Sequence, residues 1–160
     1  MKKHTIKIPL EVYESISQLP EGIQKLMKKA QQAREDAYAP YSRFKVGAAL
    51  LLDSGEVITG NNQENAAYPS GLCAERVVVF SAGANFPNQT MSALAITVCS
   101  ESREIEEPLA PCGACRQSLL EYEQKQKSPL SIYFMGETGN IVRVASVADL
   151  LPFGFGAEYL

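Results

Sequence analysis

The chain has 160 residues, of which 46% are hydrophobic and 21% are charged, and its formal net charge is -3. This length and composition are typical of one globular domain. The acidic balance and the lack of a basic stripe argue against a protein that binds nucleic acid. No apolar run approaches the roughly 18 residues that suggest a membrane span, so we expect no membrane contact.

The N-terminus and the cysteine content bear on the compartment and on the chemistry. The first residues, MKKHTIKIPLEVYE, are charged and lack the continuous apolar segment of a secretory signal. Four cysteines without such a signal indicate a reducing compartment, and we therefore expect a cytoplasmic protein. The only histidine, His4, lies near the chain end, so a zinc site must be built from cysteine and carboxylate.

The chain begins with a predicted arm, residues 1–20, followed by a predicted domain over residues 21–160. In the arm, Pro9 permits only an edge strand or an extended segment. Helical spacing of apolar residues predicts a helix from Ile23 to Ala37, which ends ahead of Pro40.

The remaining elements alternate between strands and helices. The predicted strands are FKVGAALLLD, VITG, SALAITVCS, LSIYFM and IVRVA, and the later helices are LCAERVVVFSAG, CGACRQSLLEYEQKQK and SVADLLP. Ser146 is the predicted N-cap of the last helix. Because the strands are continuously apolar, helices must cover both faces of one sheet. The last two strands share a turn too short for a crossover, so they are expected to pair antiparallel.

Three cysteines in two short motifs, GLCAER and APCGACRQ, are candidate zinc ligands. Cys112 and Cys115 begin a predicted helix, where their spacing directs two sulfurs to one point and the helix dipole favours thiolates. With Cys73 they leave one position of a tetrahedral zinc open, which is typical of a catalytic metal. Two alternatives remain open: a thiol redox pair, and a closed, non-catalytic site completed by Cys99.

Two charged residues follow Cys73 directly. At a helix start, Cys73 and Glu75 can converge, and the carboxylate can take a proton from zinc-activated water and pass it to substrate. Arg76 can donate to sulfur and offset the negative charge of three thiolates. The competing interpretation is a surface glutamate and an exposed arginine at a helix start. For Arg116, in the second motif, we favour the exposed arginine.

The motifs C-A-E-R and P-C-G-A-C-R-Q resemble those of the zinc-dependent cytidine deaminases, in the small homotetrameric class that has cysteine where related deaminases have histidine. YAPYSRFKVGAALL, NQENAAY and LLPFGF resemble the same family in the same order, so the resemblance covers roughly residues 30–155. It implies an α/β fold, a three-layer αβα sandwich with a five-stranded mixed sheet in the order 2-1-3-4-5. It also implies a homotetramer with one Zn²⁺ per subunit.

The resemblance implies specific roles around the metal. Cys73, Cys112 and Cys115 would ligate zinc, and Glu75 would be the proton shuttle. The implied reaction is hydrolytic deamination of cytidine and 2′-deoxycytidine to uridine and 2′-deoxyuridine with release of ammonia, a step of pyrimidine salvage. An alternative is a deaminase of the same fold acting on another aminopyrimidine nucleoside, such as blasticidin S.

The resemblance also implies substrate contacts. Asn62 and Glu64 would hold the ribose hydroxyls, Phe44 would pack against the pyrimidine ring, and the backbone around Ala74 would contact the base. From the residues alone, Asn62 and Glu64 fit either a sugar-binding loop or a solvated loop, and Phe44 fits plain core packing.

Two aromatic residues, Tyr68 and Phe155, would by the same resemblance lie near subunit boundaries. The expected partners are therefore a small nucleoside and further copies of the chain, with no nucleic acid and no membrane.

Overall fold

The structure is a computed structural model that describes residues 1–160. Its strands and helices follow the predicted order, with one additional strand at the start. The strands are β1 (Glu11–Tyr13), β2 (Phe44–Leu52), β3 (Val57–Asn61), β4 (Met91–Ser100), β5 (Ser131–Met135) and β6 (Ile141–Val144). The α-helices are α1 (Glu21–Glu35), α2 (Ala74–Asn85), α3 (Gly113–Gln126) and α4 (Val147–Leu150). None of these helices combines the length and the apolar character needed to cross a membrane.

The sheet has the order β1-β6-β5-β4-β2-β3. Only β4 and β5 pair parallel, and all other neighbours are antiparallel, including β5 with β6 as expected. The predicted order 2-1-3-4-5 is confirmed for the five strands from β2 to β6.

The predicted count of five strands is wrong, because β1 adds a sixth at the edge of the sheet. Glu11–Tyr13 pairs with β6, and Glu11 forms an ion pair with Arg143 opposite it. Tyr13 packs against the core on the α1 side. The pairing begins at Glu11, two residues after Pro9, which has no N–H to donate to a ladder and belongs to no strand.

Helices cover both faces of the sheet, which gives the expected three layers. On one face, α1 packs Leu26, Met27 and Ala30 against residues of β2, β4 and β5. On the other face, α2 and α3 bury the larger core, to which α4 contributes Val147. The Ser146 hydroxyl accepts a hydrogen bond from Ala148 N at 3.1 Å, so the predicted N-cap is confirmed.

Close approach of α1 to the sheet depends on Gly47 in β2. A β-carbon at this position would lie 2.0 Å from the Ala30 carbonyl oxygen, so a larger residue would force the helix outward. The same close approach buries Arg34, whose Nη1 donates to Thr97 Oγ1 at 3.1 Å and to the Val98 carbonyl at 2.9 Å.

A buried carboxylate ties the second layer together. Glu123 of α3 is 8% exposed and accepts hydrogen bonds from Leu130 N at 2.7 Å and Val147 N at 2.8 Å. It also accepts from the Ser146 hydroxyl at 2.7 Å and from Ala148 N at 3.1 Å. These four donors satisfy the buried charge and fix α3 against the start of β5 and of α4.

We expect Glu123→Ala to lower the free energy of unfolding by about 2–4 kcal/mol, because buried backbone N–H groups would lose their acceptor. Denaturant titration of the variant and of the parent chain measures this difference. Glu121→Ala, an exposed glutamate on the same helix, is the matched control and should change little. Equal unfolding midpoints for Glu123→Ala and the parent would contradict the assignment.

Candidate metal centre and adjoining cleft

The N-termini of α2 and α3 bring three thiols together. Cys73 precedes α2 and Cys112 precedes α3, each with an extended backbone, and Cys115 lies in the first turn of α3. The sulfur atoms of the three residues all lie within 4.8 Å of one another. Both helices therefore direct the positive ends of their dipoles at a single cluster of sulfur atoms, which favours thiolates.

The thiols are strongly coupled through their contacts. Hydrogen bonds from the Cys115 thiol and from Arg76 lower the pKa of Cys73 to about 5, although burial opposes the shift. The pKa of Cys115 is raised instead, first because its thiol donates to Cys73 and second because it is buried. Like charges this close cannot all be held without a cation, so the cluster is suited to bind one.

The donor set fits zinc. Three cysteine sulfurs are the soft ligands that Zn²⁺ prefers, and three protein ligands leave one of its four positions open. Cys99 does not belong to the cluster; it lies on β4 opposite Lys45. This placement disfavours the closed site with four cysteines, and the third thiol beside Cys112 and Cys115 disfavours a simple redox pair.

Glu75 lies within the same group of residues. It is 5% exposed, it occupies the first turn of α2, and it lines the cleft described below. Burial raises the pKa of Glu75, while hydrogen bonds from its own backbone N–H and from the Cys115 thiol act in the opposite direction. The expectation that Cys73 and Glu75 can converge is met because Cys73 precedes the first helical residue.

The two arginines of the motifs have different partners. Arg76 Nη2 lies 4.0 Å from Cys73 Sγ and 3.5 Å from the Gly71 carbonyl oxygen, so its charge faces the sulfur cluster as expected. Arg116 is half-buried rather than exposed. It donates to the Pro111 carbonyl at 2.6 Å and to the Leu150 carbonyl at 3.0 Å. Arg116 thus fixes the backbone directly ahead of Cys112.

A cleft of about 720 Å³ adjoins the thiols, a volume suited to a small organic molecule. Cys73, Glu75 and Cys112 line one part of it, and Phe44 and Glu64 line another. The cleft therefore brings together the residues of the metal motif and those of the segments YSRF and NQEN, which are distant in the sequence.

The loop after β3 is attached by its backbone to both sides of the cleft. Gln63 exchanges two 2.9 Å hydrogen bonds with Leu72, just ahead of Cys73. Tyr38 N donates to the Asn62 carbonyl at 3.1 Å, and Glu64 N donates to the Tyr38 carbonyl at 2.9 Å. This ladder sets Asn62 and Glu64 beside the segment that carries the first thiol.

The side chain of Asn62 is buried and already hydrogen-bonded to β2. Its Oδ1 accepts from Val46 N at 2.8 Å, and its Nδ2 donates to the Phe44 carbonyl at 2.9 Å. An amide has two N–H bonds and two acceptor lone pairs, so one N–H and one lone pair remain for a ligand.

Glu64 is held by the turn that precedes Phe44. Its Oε2 accepts from Tyr41 N at 2.8 Å, and its Oε1 accepts from the Ser42 hydroxyl at 2.5 Å. These hydrogen bonds, that of Ser42 first, lower the pKa of Glu64. The turn ends at Arg43, a non-glycine residue with a positive φ of 55°. Arg43 directly precedes Phe44, which lines the cleft.

The other predicted residues lie around this site. Ala74 is fully buried between Cys73 and Glu75. Tyr68 is 76% exposed and lines the cleft, with its ring centroid 6.0 Å from that of Tyr41. Phe155 is 56% exposed and does not line the cleft; Gln117 hydrogen-bonds both its N–H and its carbonyl.

Several residues that line the cleft are not among those that the sequence predicts. Val46 of β2 and Val98 of β4 are directly paired and line the apolar wall together with Ile96. The period of two along these strands could have indicated Val46 once Phe44 was chosen. Ser42, the donor to Glu64, lies only two residues before Phe44, but nothing in its own pattern reveals that contact.

Comparisons with known proteins agree with this geometry. A sequence model described as the cytidine and deoxycytidylate deaminase zinc-binding region matches residues 20–128. A cytidine deaminase of Halalkalibacterium halodurans is 43% identical, over 84% of this chain and 95% of that protein. A cytidine deaminase of Mycobacterium tuberculosis is 42% identical, over 84% of this chain and 90% of that protein. The crystal structure of a cytidine deaminase from Burkholderia pseudomallei superposes with a TM-score of 0.71 at 44% identity, covering 82% and 97% of the two chains.

We expect Arg116→Ala to weaken zinc binding by about tenfold, because the backbone ahead of Cys112 would lose its anchor. Competition with a chromophoric chelator measures the zinc affinity directly, without reference to turnover. Arg103→Ala, in an exposed loop, serves as the control. Equal affinities for the Arg116 and Arg103 variants would show that the anchor does not matter.

Proposed function

Since the chain belongs to the family of cytidine and deoxycytidylate deaminases, we propose that it catalyses the hydrolytic deamination of cytidine and 2′-deoxycytidine. The products are uridine and 2′-deoxyuridine, with ammonia released in each case. The observation that carries the proposal is the cluster of Cys73, Cys112 and Cys115 beside a buried Glu75 in a cleft of small-molecule size. The reaction serves pyrimidine salvage.

The three cysteines hold one zinc ion in this proposal. When bound, zinc supplies a water that is nucleophilic near neutral pH. Arg76, whose guanidinium faces Cys73 Sγ, offsets the excess negative charge of the three thiolates.

Glu75 moves the protons. Its carboxylate takes one proton from the attacking water and delivers it to N3 of the pyrimidine. It then carries the second proton of that water to the amino group, which leaves C4 as ammonia. A raised pKa suits a group that must both accept and donate near neutral pH, and burial provides that shift.

The opposite part of the cleft holds the nucleoside. Phe44 packs against the pyrimidine ring, and the backbone around Ala74 contacts the base. The remaining N–H of Asn62 and the lone pairs of Glu64 bind the ribose hydroxyls. Because Glu64 is an anion at this position, a nucleoside fits better than a nucleotide, whose phosphate would require cations.

The same proposal covers the organisation of the protein. Residues 21–160 form the catalytic domain and residues 1–20 an appended arm. The chain works as a cytoplasmic homotetramer, with the exposed aromatic rings of Tyr68 and Phe155 at subunit boundaries. Sedimentation as a monomer at micromolar concentration would refute the tetramer.

We expect zinc-loaded protein to convert cytidine to uridine, and we expect 1,10-phenanthroline to abolish the conversion. Ultraviolet absorbance follows the loss of the aminopyrimidine chromophore directly. Blasticidin S and 2′-deoxycytidine, assayed in parallel, test the substrate class. Turnover of blasticidin S without turnover of cytidine would support deamination as the reaction and would contradict cytidine as the substrate.

Glu75→Ala is expected to keep its fold and its zinc but to lose turnover by about 10³-fold or more, because the proton shuttle is removed. Metal content, circular dichroism and the cytidine assay together separate these properties. Glu101→Ala, an exposed glutamate, is the control. High activity in Glu75→Ala would eliminate the proposed mechanism.

A further inference from the structure

The arm carries an exposed apolar stripe. Ile6, Ile8, Leu10 and Val12 are between 42% and 59% exposed. In an extended chain, alternate residues share one face, so an arm that continues β1 would present all four side chains together. Four exposed aliphatic residues in one stripe are uncommon on a monomer and indicate a contact surface.

The arm continues from the outermost strand of the sheet. β1 pairs only with β6, so its other edge has no neighbour. Residues 1–10 belong to no helix or strand, and all of them are exposed. An edge strand with an apolar stripe is a template for pairing with another strand.

The arm is complementary to itself when it is placed antiparallel to a second copy with the two-fold axis at Pro9. In that register Ile6 faces Val12, and Ile8 faces Leu10, so the apolar residues of both stripes meet on one face. Proline has no N–H to donate. In this register the two Pro9 residues face each other as a non-hydrogen-bonded pair of the antiparallel ladder, and such a pair needs no N–H from either residue.

Charges agree with the same register. Lys7 faces Glu11 of the other copy. Opposite charges directly across two strands stabilise a pair, and a shifted register would lose this match. Residues 1–10 contain three lysines and no acidic residue in a chain of net charge -3, so the arm carries the opposite charge to the remainder of the chain.

We propose that residues 5–13 pair antiparallel with the same segment of a second copy, with the two-fold axis at Pro9. An isolated two-stranded ribbon is marginal in water, and a stable interface buries about 1,200–2,000 Å². Arm pairing therefore adds to other contacts between copies. The cleft is lined by residues of β2 and β4, and β5 and β6 separate β4 from β1. Pairing should therefore leave turnover unchanged.

Cross-linking tests the register. We expect zinc-loaded Pro9→Cys to form a disulfide-linked dimer under mild oxidation, because residue 9 faces itself across the axis. Ile6→Cys is the matched control; its two copies would lie about 20 Å apart along the ribbon and should not cross-link. Both variants retain the four native cysteines, so the parent chain reports any background.

Mass spectrometry of the digested dimer must identify a peptide linked through position 9 in both copies. As a second variant, Ile8→Cys combined with Leu10→Cys should cross-link between positions 8 and 10 of different copies. Adding Lys7→Glu should slow cross-linking of Pro9→Cys several-fold, whereas Lys2→Glu should not. No cross-linking in either cysteine variant, or equal cross-linking of Ile6→Cys and Pro9→Cys, would overturn the proposal.

Discussion

The convergence of three sulfur atoms at two helix N-termini is the constraint on which the site depends. Thiols within 4.8 Å of one another cannot all ionise alone, and the opposite pKa shifts of Cys73 and Cys115 express that conflict. A divalent cation would offset the repulsion between neighbouring thiolates, so the arrangement of the three cysteines favours metal binding. Arg76 places its guanidinium 4.0 Å from Cys73 Sγ, and Glu75 lies buried in the first turn of the same helix.

Different parts of the fold form the cleft, the thiol cluster and the outer edge of the sheet. The central strands β2 and β4 provide the apolar wall of the cleft, and the starts of α2 and α3 provide the thiols. The edge of the sheet at β1 takes no part in the cleft and is free to serve contacts between copies. The buried carboxylate of Glu123 keeps α3 in position against β5 and α4, so the metal motif at the start of α3 rests on a fixed layer.

Local sequence rules predicted the features that depend on near neighbours. Ser146 caps α4 because its hydroxyl reaches an N–H two residues away, and Cys73 converges with Glu75 because both lie at a helix start. The rules failed where the partner is distant in the sequence. Arg116 was expected to be exposed, because nothing near it shows that the Leu150 carbonyl is within reach. The sequence around Glu11–Tyr13 fits either an edge strand or an extended arm. The strand forms because β6, which is distant in the sequence, pairs with these residues.

The hydrogen bonds of Asn62 and Glu64 have a consequence for recognition. Both side chains are fastened to the strand and turn around Phe44 before any ligand arrives. For the proposed ribose contacts, the side-chain entropy of Asn62 and Glu64 would therefore be lost largely during folding, and little would remain to be lost on binding. Selectivity in that proposal rests on the few lone pairs and N–H bonds that these two side chains leave free.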